Sequence, residues 1–135
     1  MRGIFLVVIA AGLAGAPGAR GESPAAVAQI SQQQLLQRIE SAPQSLLILD
    51  VRTPEEFAAG HIPGAINIPH DRLAERLAEL PVKKDSDIVV YCRTGRRSQI
   101  ALAWLRQQGY TRLLRLDGDY AGWQAAQEAS RSQAL

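Results

Sequence analysis

Three short runs constrain this chain more than any other feature: Leu46-Leu47-Ile48-Leu49, Ile88-Val89-Val90-Tyr91 and Leu113-Leu114-Arg115-Leu116. The first two are apolar throughout and have no polar face to offer water, which suits strands covered on both sides. Between the runs the apolar period is helical. Ser31 and Gln34 form a capping-box pattern followed by Leu35, Leu36 and Ile39, predicting a helix over 31–40 that Pro43 closes. Thr53-Pro54-Glu55-Glu56 predicts a short helix with Thr53 as cap and Pro54 in the first position. Gly60 to Pro69 places two prolines and two glycines around Ala65-Ile66-Asn67-Ile68, a short strand between turns. Leu73, Leu77 and Leu80 mark a third helix. From Ser98 the spacing of Ile100, Ala101, Trp104 and Leu105 gives a fourth, stopped by Gly109. A turn at Asp117-Gly118 leads to a last helix carrying Trp123. This order predicts an α/β fold, a mostly parallel central sheet with helices on both faces, and ligands beyond the carboxyl ends of the strands.

With 135 residues, 47% apolar and 21% charged, the chain has enough core for one compact domain and one site. Met1-Arg2, the apolar run from Ile4 to Leu13 and the small residues after it have the layout of a secretory signal peptide. The run is shorter than the ~20 apolar residues of a membrane-spanning helix. Cleavage fits after Gly12-Leu13-Ala14 or after Ala19-Arg20-Gly21, and an uncleaved anchor from Ile4 to about Ala19 is the alternative. The expected organisation is a signal peptide over 1–21, a linker over 22–30, a domain over 31–127 and a tail over 128–135. Loss of residues 1–21 removes Arg2 and Arg20, taking the 15 basic residues down to 13 against 13 acidic ones. Such a balance argues against a general binder of nucleic acid or anionic membranes.

The chain has one cysteine, so an intramolecular disulfide is excluded and the thiol needs another explanation. Cys92-Arg93-Thr94-Gly95-Arg96-Arg97-Ser98 lies between a buried strand and a helix start, where backbone N–H groups lack partners and can hold an anion. The helix dipole and three arginines bias Cys92 towards its nucleophilic thiolate. Gly95 lets the backbone turn inward so that N–H groups converge on the sulfur or its substrate.

In four separated motifs, in the family's order, the chain resembles the rhodanese family. They are Leu49-Asp50-Val51-Arg52; Glu56-Phe57 with Gly60 to Pro69; the loop from Cys92 to Ser98; and Leu116 to Trp123. Together they cover most of residues 31–127. With a leader and one domain it is similar in architecture to the small periplasmic thiosulfate sulfurtransferases of the phage-shock response, which implies a periplasmic location. The resemblance implies that Cys92 is the catalytic residue. Its thiolate takes the outer sulfur of a donor such as thiosulfate, sulfite departs, and a thiophilic acceptor such as cyanide or a thiol removes sulfur from the persulfide. It implies no cofactor, small-molecule donor and acceptor, and a periplasmic thiol as a further partner; a monomer is expected. From Cys92 to Arg97 the loop is six residues, as in the family's sulfur-handling members, against seven in phosphatase-like relatives. A smaller ring of N–H groups fits sulfur better than a tetrahedral oxyanion. The alternative is a sulfur-carrier or partner-binding module that shares the loop and differs in its turnover of free thiosulfate.

The expected substrate-binding residues are Arg93, Thr94, Gly95, Arg96, Arg97 and Ser98, with Arg97 at the family's motif arginine. Arg93 and Arg96 either draw in a dianionic donor or face water. Asp50 and Arg52 are supporting residues, better read as an ion pair than as a base, because a carboxylate close to Cys92 opposes thiolate formation. His61 and His70 lack metal-ligand spacing, so no metal is expected, and His61 fixes its own turn by hydrogen bonding. Phe57, Trp104 and Trp123 read as core. The family usually has two glycines where this chain has Gly118-Asp119. If Asp119 points towards the mouth of the site, its charge weakens binding of an anionic donor and favours a different one.

Overall fold

The structure is a computed structural model that describes residues 27–134. The predicted signal peptide and the first part of the expected linker lie outside those residues. Strands β1 (Ala28–Ile30), β2 (Leu47–Asp50), β3 (Ile66–Asn67), β4 (Ile88–Tyr91) and β5 (Leu113–Leu116) form one sheet in the order β1-β5-β4-β2-β3. Every pairing is parallel. The helices are α1 (Gln32–Ser41), α2 (Pro54–Ala59), α3 (Leu73–Arg76), α4 (Arg96–Gln107) and α5 (Asp119–Gln133). Among the described residues no helix is long and apolar enough to cross a membrane.

Strand side chains alternate between faces, and each face has its own core. Leu47, Leu49 and Val51 join Ile88, Val90 and Cys92 against Leu73 of α3 and Leu102 and Leu105 of α4. Ile48, Val89 and Tyr91 point the other way, to Leu35 of α1 and Trp123 of α5. This double coverage is why β2 and β4 are buried at all four positions and carry no polar alternation. Cys92 thereby shares a face with α4.

Both predicted caps form. The Ser31 side chain accepts from the Gln34 N–H, and Thr53 from the Glu56 N–H, each with the return bond of a capping box. Four boundaries differ from expectation. β1 lies inside the stretch expected as linker; only Ile30 of its three residues is buried, so its sequence is too short and polar to announce a strand, and β5 recruits it at the sheet edge. Helix α5 runs through the expected tail to Gln133. α4 begins at Arg96, two residues before Ser98, because Gly95 adopts a positive φ of 121° and caps it. The third expected helix is broken into α3 flanked by 3-10 turns at His70–Arg72 and Leu77–Glu79, with Leu73 and Leu80 buried at its two ends.

Candidate active site

Cys92 follows the last residue of β4, at the carboxyl end of the strand in the middle of the sheet. The loop that begins there turns back on its own sulfur. The Gly95 N–H donates to Cys92 Sγ at 3.0 Å, and Ser98 Oγ lies 3.6 Å from the same atom. α4 starts directly after, so its first N–H groups have no helical partner and its dipole adds partial positive charge. Cys92 is 1% exposed, whereas Arg93, Thr94 and Arg96 of the loop face solvent. The sulfur therefore lies on the floor of the loop, with the Gly95 N–H aimed at it and the Arg93 and Arg96 side chains exposed above. Ser98, expected to bind substrate, is fully buried, and its hydroxyl lies 3.0 Å from both Gly95 O and Asp119 Oδ1, donating its one proton to one of them at a time.

Arg97 is already paired. Its two terminal nitrogens donate to the two oxygens of Glu56 at 2.6 and 3.0 Å. The Arg97 guanidinium, helped by the Thr53 N–H, holds the Glu56 carboxyl at about 2 against an ordinary 4.5, despite partial burial that acts the other way. A residue expected to meet substrate thus ties the first turn of α4 to the first turn of α2. Glu56 was legible as a helix cap; its second bond, 41 residues along the chain, was not.

Asp50 and Arg52 do not join Cys92. In the β2–β4 register Asp50 stands opposite Tyr91, and strand alternation sends its side chain to the face away from the sulfur. Asp50 is 0% and Arg52 3% exposed. Arg52 Nη2 donates to Asp50 Oδ2 at 2.6 Å and to Gly60 O at 2.7 Å, while its guanidinium lies 4.1 Å over the Tyr120 ring. Tyr91 Oη accepts from the Ile62 N–H at 3.1 Å in the same layer. Burial pushes the Tyr91 phenol far above its ordinary range. The pair braces the 60–62 turn against α5 and leaves the crevice unlined. His61 Nδ1 sits 2.8 Å from Phe57 O, with its ring stacked on Phe57.

Asp119 does not point to the mouth of the site, the one orientation in which it would weaken binding of an anionic donor. It is 0% exposed and lies beneath the loop, accepting from the Cys92 N–H at 3.0 Å and ion-paired with Arg115 Nη2 at 3.4 Å. A buried carboxylate needs donors, and the end of β4, Ser98 and Arg115 supply them. The family resemblance marked Asp119 as unusual; it did not give the direction of the side chain. A groove of about 750 Å³ touching Arg38, Asp87 and Arg112 opens at the amino ends of β4 and β5, the far end from Cys92 and the wrong end for ligands of a parallel sheet.

Residues 31–126 match the rhodanese-like domain family. This chain belongs to that family. The rhodanese domain is 43% identical over 97 residues to a sulfurtransferase of Allochromatium vinosum, spanning 72% of this chain and 88% of that protein. It is 34% identical over 104 residues to the thiosulfate sulfurtransferase GlpE of Pseudomonas aeruginosa, spanning 77% and 90%. Among solved structures, a rhodanese-related protein from Thermoplasma volcanium superposes with a TM-score of 0.63 at 29% identity, over 73% of this chain and 92% of that one. The rhodanese fold and its sulfurtransferase relatives therefore meet at a loop built around one sulfur.

Proposed function

We propose that this rhodanese domain moves a sulfane sulfur from a small anionic donor such as thiosulfate to a thiophilic acceptor, holding it on Cys92 as a persulfide. One observation carries the reading: the Cys92 sulfur stands at the carboxyl end of the middle strand with the Gly95 N–H aimed at it from 3.0 Å. The names of the two sulfurtransferase relatives support the same chemistry.

In the first half-reaction the Cys92 thiolate attacks the outer sulfur of the donor. A new S–S bond forms, the donor's S–S bond breaks, and sulfite leaves with the electron pair. The Gly95 N–H and the free N–H groups at the start of α4 stabilise the anionic sulfur throughout. The exposed Arg93 and Arg96 raise the local concentration of a dianion. In the second half-reaction cyanide or a thiolate attacks the outer sulfur of the persulfide, and the bonding pair returns to Cys92. The reading includes a periplasmic location, which cell fractionation with an antibody to the domain tests directly.

The chemical test uses reduced native protein and the Cys92→Ser variant. Each is incubated with thiosulfate, weighed by intact-mass spectrometry, then given cyanide. The expected result is one added sulfur atom on the native chain alone and thiocyanate turnover. Reduced native protein that gains no sulfur removes thiosulfate as donor. Persulfide formed only from another protein's sulfur would make this a carrier module.

A further inference from the structure

Asp119 has a backbone that needs explaining. At φ +51° it is the one non-glycine residue at positive φ among the described residues, in a region that glycine enters freely and that, among L side chains, Asp and Asn visit most readily. Its carboxylate is nevertheless fully buried and answers three donors. Oδ1 accepts from the Cys92 N–H and from Ser98 Oγ, each at 3.0 Å, and Oδ2 faces Arg115 Nη2 at 3.4 Å.

The first bond completes a ladder. The β4–β5 register ends at Val90 opposite Arg115, so the Cys92 amide lies past the last strand partner. The Asp119 carboxylate takes that place, while the N–H groups of Tyr120 and Ala121 donate to the carbonyls of Cys92 and Arg93 at 2.9 and 3.1 Å. The start of α5 therefore grips the peptide on both sides of the reacting residue. The Asp119–Arg115 pair lies directly behind Gly95, where a Cβ would strike Arg115 Nη2 and stand 3.1 Å from Asp119 Oδ2.

The second bond bears on the sulfur. The Ser98 hydroxyl has one proton and three neighbours: Gly95 O and Asp119 Oδ1 at 3.0 Å, and Cys92 Sγ at 3.6 Å. It can donate to only one of them at a time. A protonated Cys92 has no use for that proton, because its own S–H donates to Ser98 Oγ. A thiolate needs it, and the carboxylate competes for it.

We propose that Asp119 is a positioning residue for the Cys92 sulfur, holding the Cys92 amide and the Ser98 hydroxyl on one carboxylate and so withholding from the sulfur the proton Ser98 would give it. The proposal rests on Cys92 being the reacting atom and names the residue that regulates its charge. The other charged groups around the sulfur are Arg93, Arg96 and Arg97 on the loop and α4, Glu56 on α2 paired with Arg97, and Arg115 on β5. His70 lies on the turn packed against α4, and Asp50 and Arg52 lie on the opposite face of the sheet. None of these shares the Ser98 hydroxyl in a hydrogen bond.

The lone cysteine permits a reading that needs no reagent access. Thiolate absorbance near 240 nm is titrated against pH for the native protein and for Asp119→Asn, each with its Cys92→Ser counterpart subtracted. Asn keeps an acceptor for both bonds and tolerates positive φ, but removes the charge. The Arg115 side chain is 26% exposed, so its terminal nitrogens can turn to water. The expected midpoint in Asp119→Asn falls by about one pH unit, and thiosulfate loading at a fixed pH below it quickens by up to about tenfold. With Ser98→Ala in both backgrounds, the effect of Asp119→Asn shrinks to less than half. Coincident native and Asp119→Asn curves overturn the proposal, and an undiminished effect in the Ser98→Ala background overturns the route through Ser98. Thermal melts of each variant show whether the fold is kept; if Asp119→Asn does not fold, Asp119→Gly, which suits the φ of +51° and also removes the carboxylate, is titrated in its place, and its coincidence with the native curve overturns the proposal. Failure of thiosulfate as donor leaves the absorbance titration readable, so the two readings fail separately.

Discussion

Replacing Glu56 with Gln isolates one ion pair. Gln preserves the return bond of the capping box to Thr53 and removes only the charge that faces Arg97. Glu56 ionises at about 2 in the fold against an ordinary 4.5, a gap of about 2.5 units worth roughly 3.4 kcal/mol at full linkage. The side chains of Arg97 and Glu56 are 26% and 29% exposed, so solvent screening reduces the net contribution to about 1–2 kcal/mol. The sign follows from the depressed value. As pH falls, the unfolded chain takes up the proton first, so the stabilisation is complete above about pH 4.5 and is lost as pH falls through about 2. Urea unfolding followed by tryptophan fluorescence should find Glu56→Gln less stable by about 1–2 kcal/mol at pH 7, with Tm lower by roughly 5–10 °C. The difference between the two proteins should narrow steadily from pH 4.5 downwards. A difference that is unchanged at pH 3, or absent at pH 7, would refute the assignment of this bridge as the tie between α2 and α4.

Two further substitutions probe the layers on either side of the sulfur. Gly95→Ala places a Cβ against Arg115 Nη2 at a φ of 121°, so the loop must move; sulfur loading followed by intact mass should slow by about tenfold or more with the circular dichroism unchanged, and native loading would show that the Arg115–Asp119 pair does not constrain the loop. Arg52→Ala leaves the Asp50 carboxylate buried without its counter-ion and should cost about 3–5 kcal/mol in urea unfolding at pH 7; a loss below about 1 kcal/mol would mean that Asp50 does not depend on the bidentate pair.

Local chemistry in the chain determined most of the architecture. Strands β2 and β4 announced themselves because an apolar run with no polar face can only be buried, and α1 and α2 because their caps are encoded within four residues. The position of Cys92 beyond a central strand followed from the same alternation, and with it the loop whose Gly95 turns an N–H onto the sulfur. The bonds between distant segments were decided by tertiary structure alone. Arg97 looked like a free anion ligand until α2 brought Glu56 to it, whereas the ion pair read from the sequence for Asp50 and Arg52 is present, on the face of the sheet away from Cys92. In the sequence Asp119 stood out only as a departure from what the family resemblance implies, whereas an αL backbone and three donors from separate elements decided that its carboxylate is buried beneath the Cys92 loop. The division has one physical reason. Apolar period and capping depend on neighbours a few residues away, whereas the direction of a buried polar side chain depends on which distant donors the packed sheet and helices bring within hydrogen-bond reach.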